Sequence, residues 1–102
     1  MITKIDLRYL SGPDIDALEL TCDEILDAIE VSLAAQGRDE TVVEPRMHLV
    51  ADTQFRGHFN VLRGYIAPLG VAGVKVVSDY IDNWQLDLPS EMALVNLFDA
   101  RT

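Results

Sequence analysis

The run Met92-Ala93-Leu94-Val95-Asn96-Leu97-Phe98 constrains this chain more than any other stretch, because as a strand it is mostly apolar on both faces. Such a strand wants cover on both sides. Upstream there is helical material for one face of a sheet, so the other face is expected to meet more chain or a second subunit. Left open, a sheet of that kind aggregates.

Two segments upstream carry helix-start signals. Ser11-Gly12-Pro13-Asp14 sets a hydroxyl three residues before an acid, which predicts a short helix near residues 13–20. Thr21-Cys22-Asp23-Glu24 repeats the pattern. Behind it Ile25, Ile29 and Leu33, joined by Cys22, Leu26 and Ala28, recur at three- and four-residue spacing until Gly37, which predicts an amphipathic helix over 22–36. Cys22, the lone cysteine, reads as a small packed residue and excludes an internal disulfide. Beyond Gly37-Arg38-Asp39-Glu40 the texture changes to short β-branched and apolar runs parted by Gly, Pro, Asp and Asn. Strands are predicted near 42–50, 58–62, 71–78 and 91–98, with turns or loops at 52–57, 68–70 and 80–90. Helices first and strands afterwards, without alternation, predict an α+β fold: two N-terminal helices packed on a mostly antiparallel sheet, in one domain spanning 1–102.

Composition excludes several functions. At 102 residues and 49% hydrophobic content the chain has room for one modest core. Its formal net charge of −9, with acids scattered from Asp14 to Glu40, repels phosphate backbones and argues against nucleic acid as a partner. No run approaches the ~18 apolar residues that cross a bilayer, and the first residues lack a secretory pattern. The expectation is a cytoplasmic protein without a membrane partner. His48 and His58 read as ordinary strand residues, and no third ligand stands at metal spacing, so no metal site is expected. Glycine phosphate fingerprints, a Gly-x-Ser-x-Gly elbow and a Cys/His dyad are all missing from the sequence.

Two cations stand where a strand is otherwise apolar. Lys75 interrupts Val71-Ala72-Gly73-Val74-Lys75-Val76-Val77, and an ammonium there must meet water or a counter-ion. It is either a ligand-facing lysine that grips a carboxylate or serves in acid/base work, or an edge-strand lysine that keeps other strands away. Arg46 follows Pro45 just as a strand begins. It is either a planar carboxylate clamp or a solvent-facing strand-end residue. His48, two residues on, shares the strand face of Arg46. From the residues alone the reading is one α+β domain with a cationic pocket as a candidate site.

Six pieces in order carry a resemblance over nearly the whole chain: Tyr9-Leu10-Ser11; Pro45-Arg46-Met47-His48-Leu49; Phe59-Asn60-Val61-Leu62 before Tyr65; Gly73-Val74-Lys75-Val76-Val77-Ser78; Tyr80 to Asn83; and Leu88-Pro89-Ser90-Glu91-Met92-Ala93-Leu94 through Asp99. Together they resemble the N-terminal third of the ornithine cyclodeaminase/mu-crystallin family. The resemblance implies the incomplete first domain of a two-domain fold whose Rossmann domain lies beyond these residues. It further implies homodimers formed through this half, and NAD or NADP bound by the full-length parent and not by this segment alone. The implied substrates are amino acids or cyclic imino acids, and the implied reactions are cyclodeamination, ketimine reduction or amino-acid dehydrogenation. By position, Arg46 matches the arginine that clamps the substrate carboxylate, and Lys75 the lysine beside the reacting carbon. Ser90 falls where a hydroxyl residue often lies near substrate and cofactor. Asn60 stands where ornithine cyclodeaminases proper carry a glutamate that meets the substrate's amino groups, which turns the expectation away from ornithine. Leu62-Arg63 replaces a Met-Pro pair, with Arg63 read as a surface residue, and Ile81 replaces a proline. Alone, the 102-residue chain is expected to be inactive. The rival expectation is a stand-alone dimerisation or small-anion-binding module without catalysis.

Overall fold

The computed structural model describes residues 3–102. Helix α1 (Gly12–Asp16) begins where Ser11 Oγ accepts the N–H of Asp14 and the Asp14 carboxylate accepts the N–H of Ser11 at 2.9 Å. It stops after five residues, short of the predicted span, because Glu19 turns into the left-handed region at φ 51°. Helix α2 (Cys22–Gly37) opens on a second reciprocal pair. The Glu24 carboxylate accepts the N–H of Thr21 at 2.8 Å, and Thr21 Oγ1 accepts the N–H of Glu24 at 3.2 Å. The helix ends at Gly37, one residue past the predicted span. The left-handed position that closes it is Asp39, at φ 61°, while the N–H of Glu40 reaches back to the Ala35 carbonyl at 2.9 Å. Cys22 is exposed, which corrects the reading of it as a packed residue. It occupies the first turn beside Asp23 and Glu24, the polar end of the helix.

The strands are β1 (Thr41–Val43), β2 (Met47–Leu49), β3 (Gly57–Ile66), β4 (Val71–Tyr80) and β5 (Glu91–Asp99). The single strand expected over 42–50 is two strands. Pro45, which has no N–H to give a ladder, falls between them. β3 is longer than predicted and runs through Arg63 and Gly64. All pairings are antiparallel, in the order β1-β3-β4-β5, with β2 also paired to β3. The centre is the β3–β4 ladder of ten paired positions, from Gly57↔Tyr80 to Ile66↔Val71.

Two ends of that ladder explain its register. At one, a 3-10 turn (Ala67–Leu69) hands over to Gly70 at φ 61°, a conformation that suits glycine. At the other, a Cβ on Gly57 would fall 2.1 Å from the ring of Tyr80, so only glycine lets that ring lie across the strand. The ring then meets Phe59 edge-on at 5.8 Å between centroids. The Arg56 guanidinium forks onto both carboxylate oxygens of Asp82 and holds that acid below its ordinary value, which anchors the segment after β4. That segment, expected as an irregular loop, contains a 3-10 turn (Asn83–Leu86).

Contacts divide the chain into two compact units, residues up to Val31 and Ser32–Thr102, with the boundary inside α2. Within the second unit Ala35 is fully buried, and Leu33 joins Val43, Ile66, Val71 and Leu97 around an apolar cavity of about 330 Å³. β5 is an edge of the sheet, and its apolar side chains stay exposed on both faces: Leu94 (62%) on one, Val95 (63%) on the other. Among the described residues no helix is long and apolar enough to cross a membrane.

Hydrogen bonds from Ser11 and Thr21 hold the Asp14 and Glu24 carboxyls below their ordinary values. A depressed carboxyl contributes stability above its ordinary pKa and loses it as the pH falls through the lower folded value. Helical circular dichroism is therefore expected to decline only below about pH 4. Thr21→Ala should cost about 1 kcal/mol and move that acid midpoint upward in a pH titration.

Candidate functional site

Strand alternation and the β3–β4–β5 register together assemble one polar patch. Asn60 pairs with Val77, Leu62 with Lys75, Val77 with Ala93, and Asp79 with Glu91, so these side chains share one face of the sheet. Arg46, one residue before β2, joins them. Arg46, Asn60, Lys75 and Glu91, with Leu62 and Val77, line a single cavity of about 400 Å³.

Lys75 sits in the middle of β4, which is hydrogen-bonded on both sides. The edge-strand reading of this lysine is therefore excluded. Its side chain is exposed, as an ammonium without a counter-ion requires. Arg46 lies in the link between β1 and β2 that Pro45 creates, free of ladder pairing. Among the described residues neither cation enters an ion pair, whereas Lys4, Arg38, Arg56 and Arg101 are each bound to an aspartate or glutamate. A chain of net charge −9 thus keeps one cavity in which two cations outnumber one carboxylate.

Ser90 does not line this cavity; its carbonyl accepts the N–H of Tyr80 at 2.8 Å. The neighbouring Glu91 lines it instead. Nothing in the sequence marked Glu91, since an acid opening a strand reads as a solvated end. Arg63 is exposed and is not among the residues lining the cavity.

The histidines stand beside the site. His48 pairs with Asn60 in the β2–β3 register, and its Nδ1 lies 3.0 Å from Asn60 Oδ1. The rings of His48 and His58 lie 4.5 Å apart between centroids, tilted by 36°. Among the described residues no group of three or more His, Cys, Asp or Glu could hold a metal ion.

No family model and no curated protein sequence matches the chain. Solved structures do. The Thermococcus litoralis Δ1-pyrroline-2-carboxylate reductase, solved in complex with NADH and L-proline, is 24% identical, matches 81% of this chain and gives a TM-score of 0.74. An archaeal alanine dehydrogenase dimer with bound NAD is 23% identical, matches 89% and gives a TM-score of 0.77. The chain shares their fold. It spans about a quarter of their length, 25% of the reductase and 27% of the dehydrogenase.

Replacing Glu91 by Gln leaves the two cations unopposed. Acetate affinity, followed through the amide signals of Asn60 and Lys75 in an NMR titration, should then rise roughly two- to fivefold, the scale of an exposed charge interaction.

Proposed function

We propose that this chain is the carboxylate-binding segment of an NAD(P)-dependent amino-acid or imino-acid oxidoreductase of the ornithine cyclodeaminase/mu-crystallin family. The observation that carries the proposal is the meeting of Arg46, Asn60 and Lys75 in one net-cationic cavity. Two solved neighbours of the same fold, an imino-acid reductase and an amino-acid dehydrogenase, fall in the reaction classes expected from the resemblance.

Each residue has a separable task. The planar fork of Arg46 receives a substrate carboxylate through two parallel hydrogen bonds. Lys75, across the cavity on a rigid central strand, holds its ammonium beside the reacting carbon, where it stabilises developing negative charge and relays a proton. Asn60 adds a neutral polar contact between them. Ser90 stands next to the cavity-lining Glu91 and is given no contact with the carboxylate.

The nicotinamide cofactor does not fit these residues. Dinucleotide cradles need a strand that runs into a helix through a glycine-rich turn, and among the described residues no strand leads into an α-helix. Hydride transfer is the cofactor's chemistry, and the part of this chain is to place and charge-balance the substrate.

β5 supplies the assembly. Its apolar residues alternate on both faces of an edge strand and fit a second copy of the chain, as a homodimer through this sheet. The alanine dehydrogenase neighbour is a dimer. Leu94→Asp should shift the protein towards monomer in light scattering; an unchanged mass would place the contact elsewhere.

In the full-length enzyme Lys75→Ala is expected to lower kcat/KM at least about tenfold, the loss of roughly 1.4 kcal/mol of transition-state stabilisation. Arg46→Met should chiefly weaken substrate binding. Near-normal steady-state kinetics for both variants would remove the cavity from the mechanism.

A further inference from the structure

We infer that His48 is a positioning residue that fixes Asn60 as a hydrogen-bond donor to the bound substrate, so that the cavity accepts an anionic or neutral acceptor there and disfavours an ammonium. The inference rests on the carboxylate reading above and adds the polarity of the one neutral group in the cavity.

A primary amide is two-sided, with an acceptor oxygen and a donor nitrogen, and what holds one end decides what the other offers. Asn60 Oδ1 is the end that meets His48, at 3.0 Å from Nδ1. An oxygen cannot donate, so the proton on this hydrogen bond belongs to His48 Nδ1. β2 and β4 flank β3 on opposite sides, and His48 stands on the β2 side. Turning Oδ1 towards His48, which does not line the cavity, leaves Nδ2 for the side of Lys75 and Val77, where most of its lining residues stand.

His48 is itself held. Its ring packs against that of His58 at 4.5 Å between centroids, tilted by 36°, and His58 is paired in register with Asp79 on β4. The imidazole thus has a ring neighbour as well as a partner at its nitrogen, and it cannot swing away without losing both. Arg46, Lys75 and the Nδ2 of Asn60 then present donors only. Glu91 is the single acid among the lining residues.

Imidazole nitrogen NMR on the protein, above the pH at which imidazole titrates, gives the first test. His48 should carry its proton on Nδ1; a proton on Nε2 alone would overturn the inference. A second test compares two probes, L-alanine and L-2,3-diaminopropionate, at a pH low enough to protonate both amines of the latter, which then adds one ammonium to the same carbon skeleton. The protein should prefer alanine. His48→Phe keeps a ring against His58 but offers no donor, and it should reduce that preference roughly three- to tenfold, the span of one ordinary hydrogen bond. His48→Gln, with an amide N–H, should restore it. If His48→Phe weakens both probes in equal proportion, or changes neither, His48 is only a structural contact and the inference fails. Arg46→Met separates the two proposals. Alanine binding lost with Arg46→Met and an unmoved preference in His48→Phe leaves the carboxylate site standing without this inference. Unaltered alanine binding in Arg46→Met with a shifted preference in His48→Phe does the reverse. A protein that binds neither probe removes both.

Discussion

The ten-position antiparallel ladder between β3 and β4 is the constraint on which the rest depends. Side chains alternate with a period of two, so the register alone decides which residues share a face. In the observed register Asn60, Leu62, Lys75 and Val77 lie together, and β5 adds Ala93 and Glu91 to the same side. A slip of one residue along either strand would carry Lys75 to the face of Val74 and Val76 and scatter the cavity. The register is guarded where the ladder ends. Gly57 admits the Tyr80 ring at one end, and Gly70 makes the left-handed turn at the other. Neither glycine is near Lys75, yet both hold it in place.

The helix starts were legible because their chemistry is local. Ser11 with Asp14 and Thr21 with Glu24 are pairs three residues apart, and the hydrogen bonds that make them helix starts need nothing from the rest of the chain. The α+β order and the four main strand regions were legible for a similar reason, since composition changes after Glu40. Where expectation and structure part, a single residue decides. Alternation alone carries one strand through Pro45, whose missing N–H splits β1 from β2. The helix does end at Gly37, but the left-handed position beyond it belongs to Asp39 and not to a glycine. Apolar neighbours point Cys22 to a core, but it lies in an exposed first turn.

The site was partly legible. Arg46 and Lys75 stood out as charges in apolar surroundings, and that anomaly is visible in one dimension. Their meeting is not, because it joins residues twenty-nine positions apart through two strand registers. Glu91 and the contact of His48 with Asn60 escaped for the same reason. Each residue looks ordinary in its own segment and acquires a role only through its cross-strand neighbour.

On the proposed reading, an acidic chain with a cationic cavity would hold a carboxylate by contact and not by steering. Of the four ion pairs among the described residues, three join partners two positions apart, and only Arg56 with Asp82 crosses the fold. Lys4, Arg38, Arg56 and Arg101 are thus neutralised by their partners, whereas Arg46 and Lys75, in no ion pair among the described residues, line the cavity. At physiological ionic strength charge is screened beyond about 8 Å, so the surplus acids elsewhere weigh little on a carboxylate already inside. They do weigh on its approach, because a small anion nearing a chain of net charge −9 gains nothing from long-range attraction. On that reading selectivity falls to the few donors within hydrogen-bond reach. In a cavity lined by one carboxylate and two cations, the direction in which a single amide points would then change which charges are welcome.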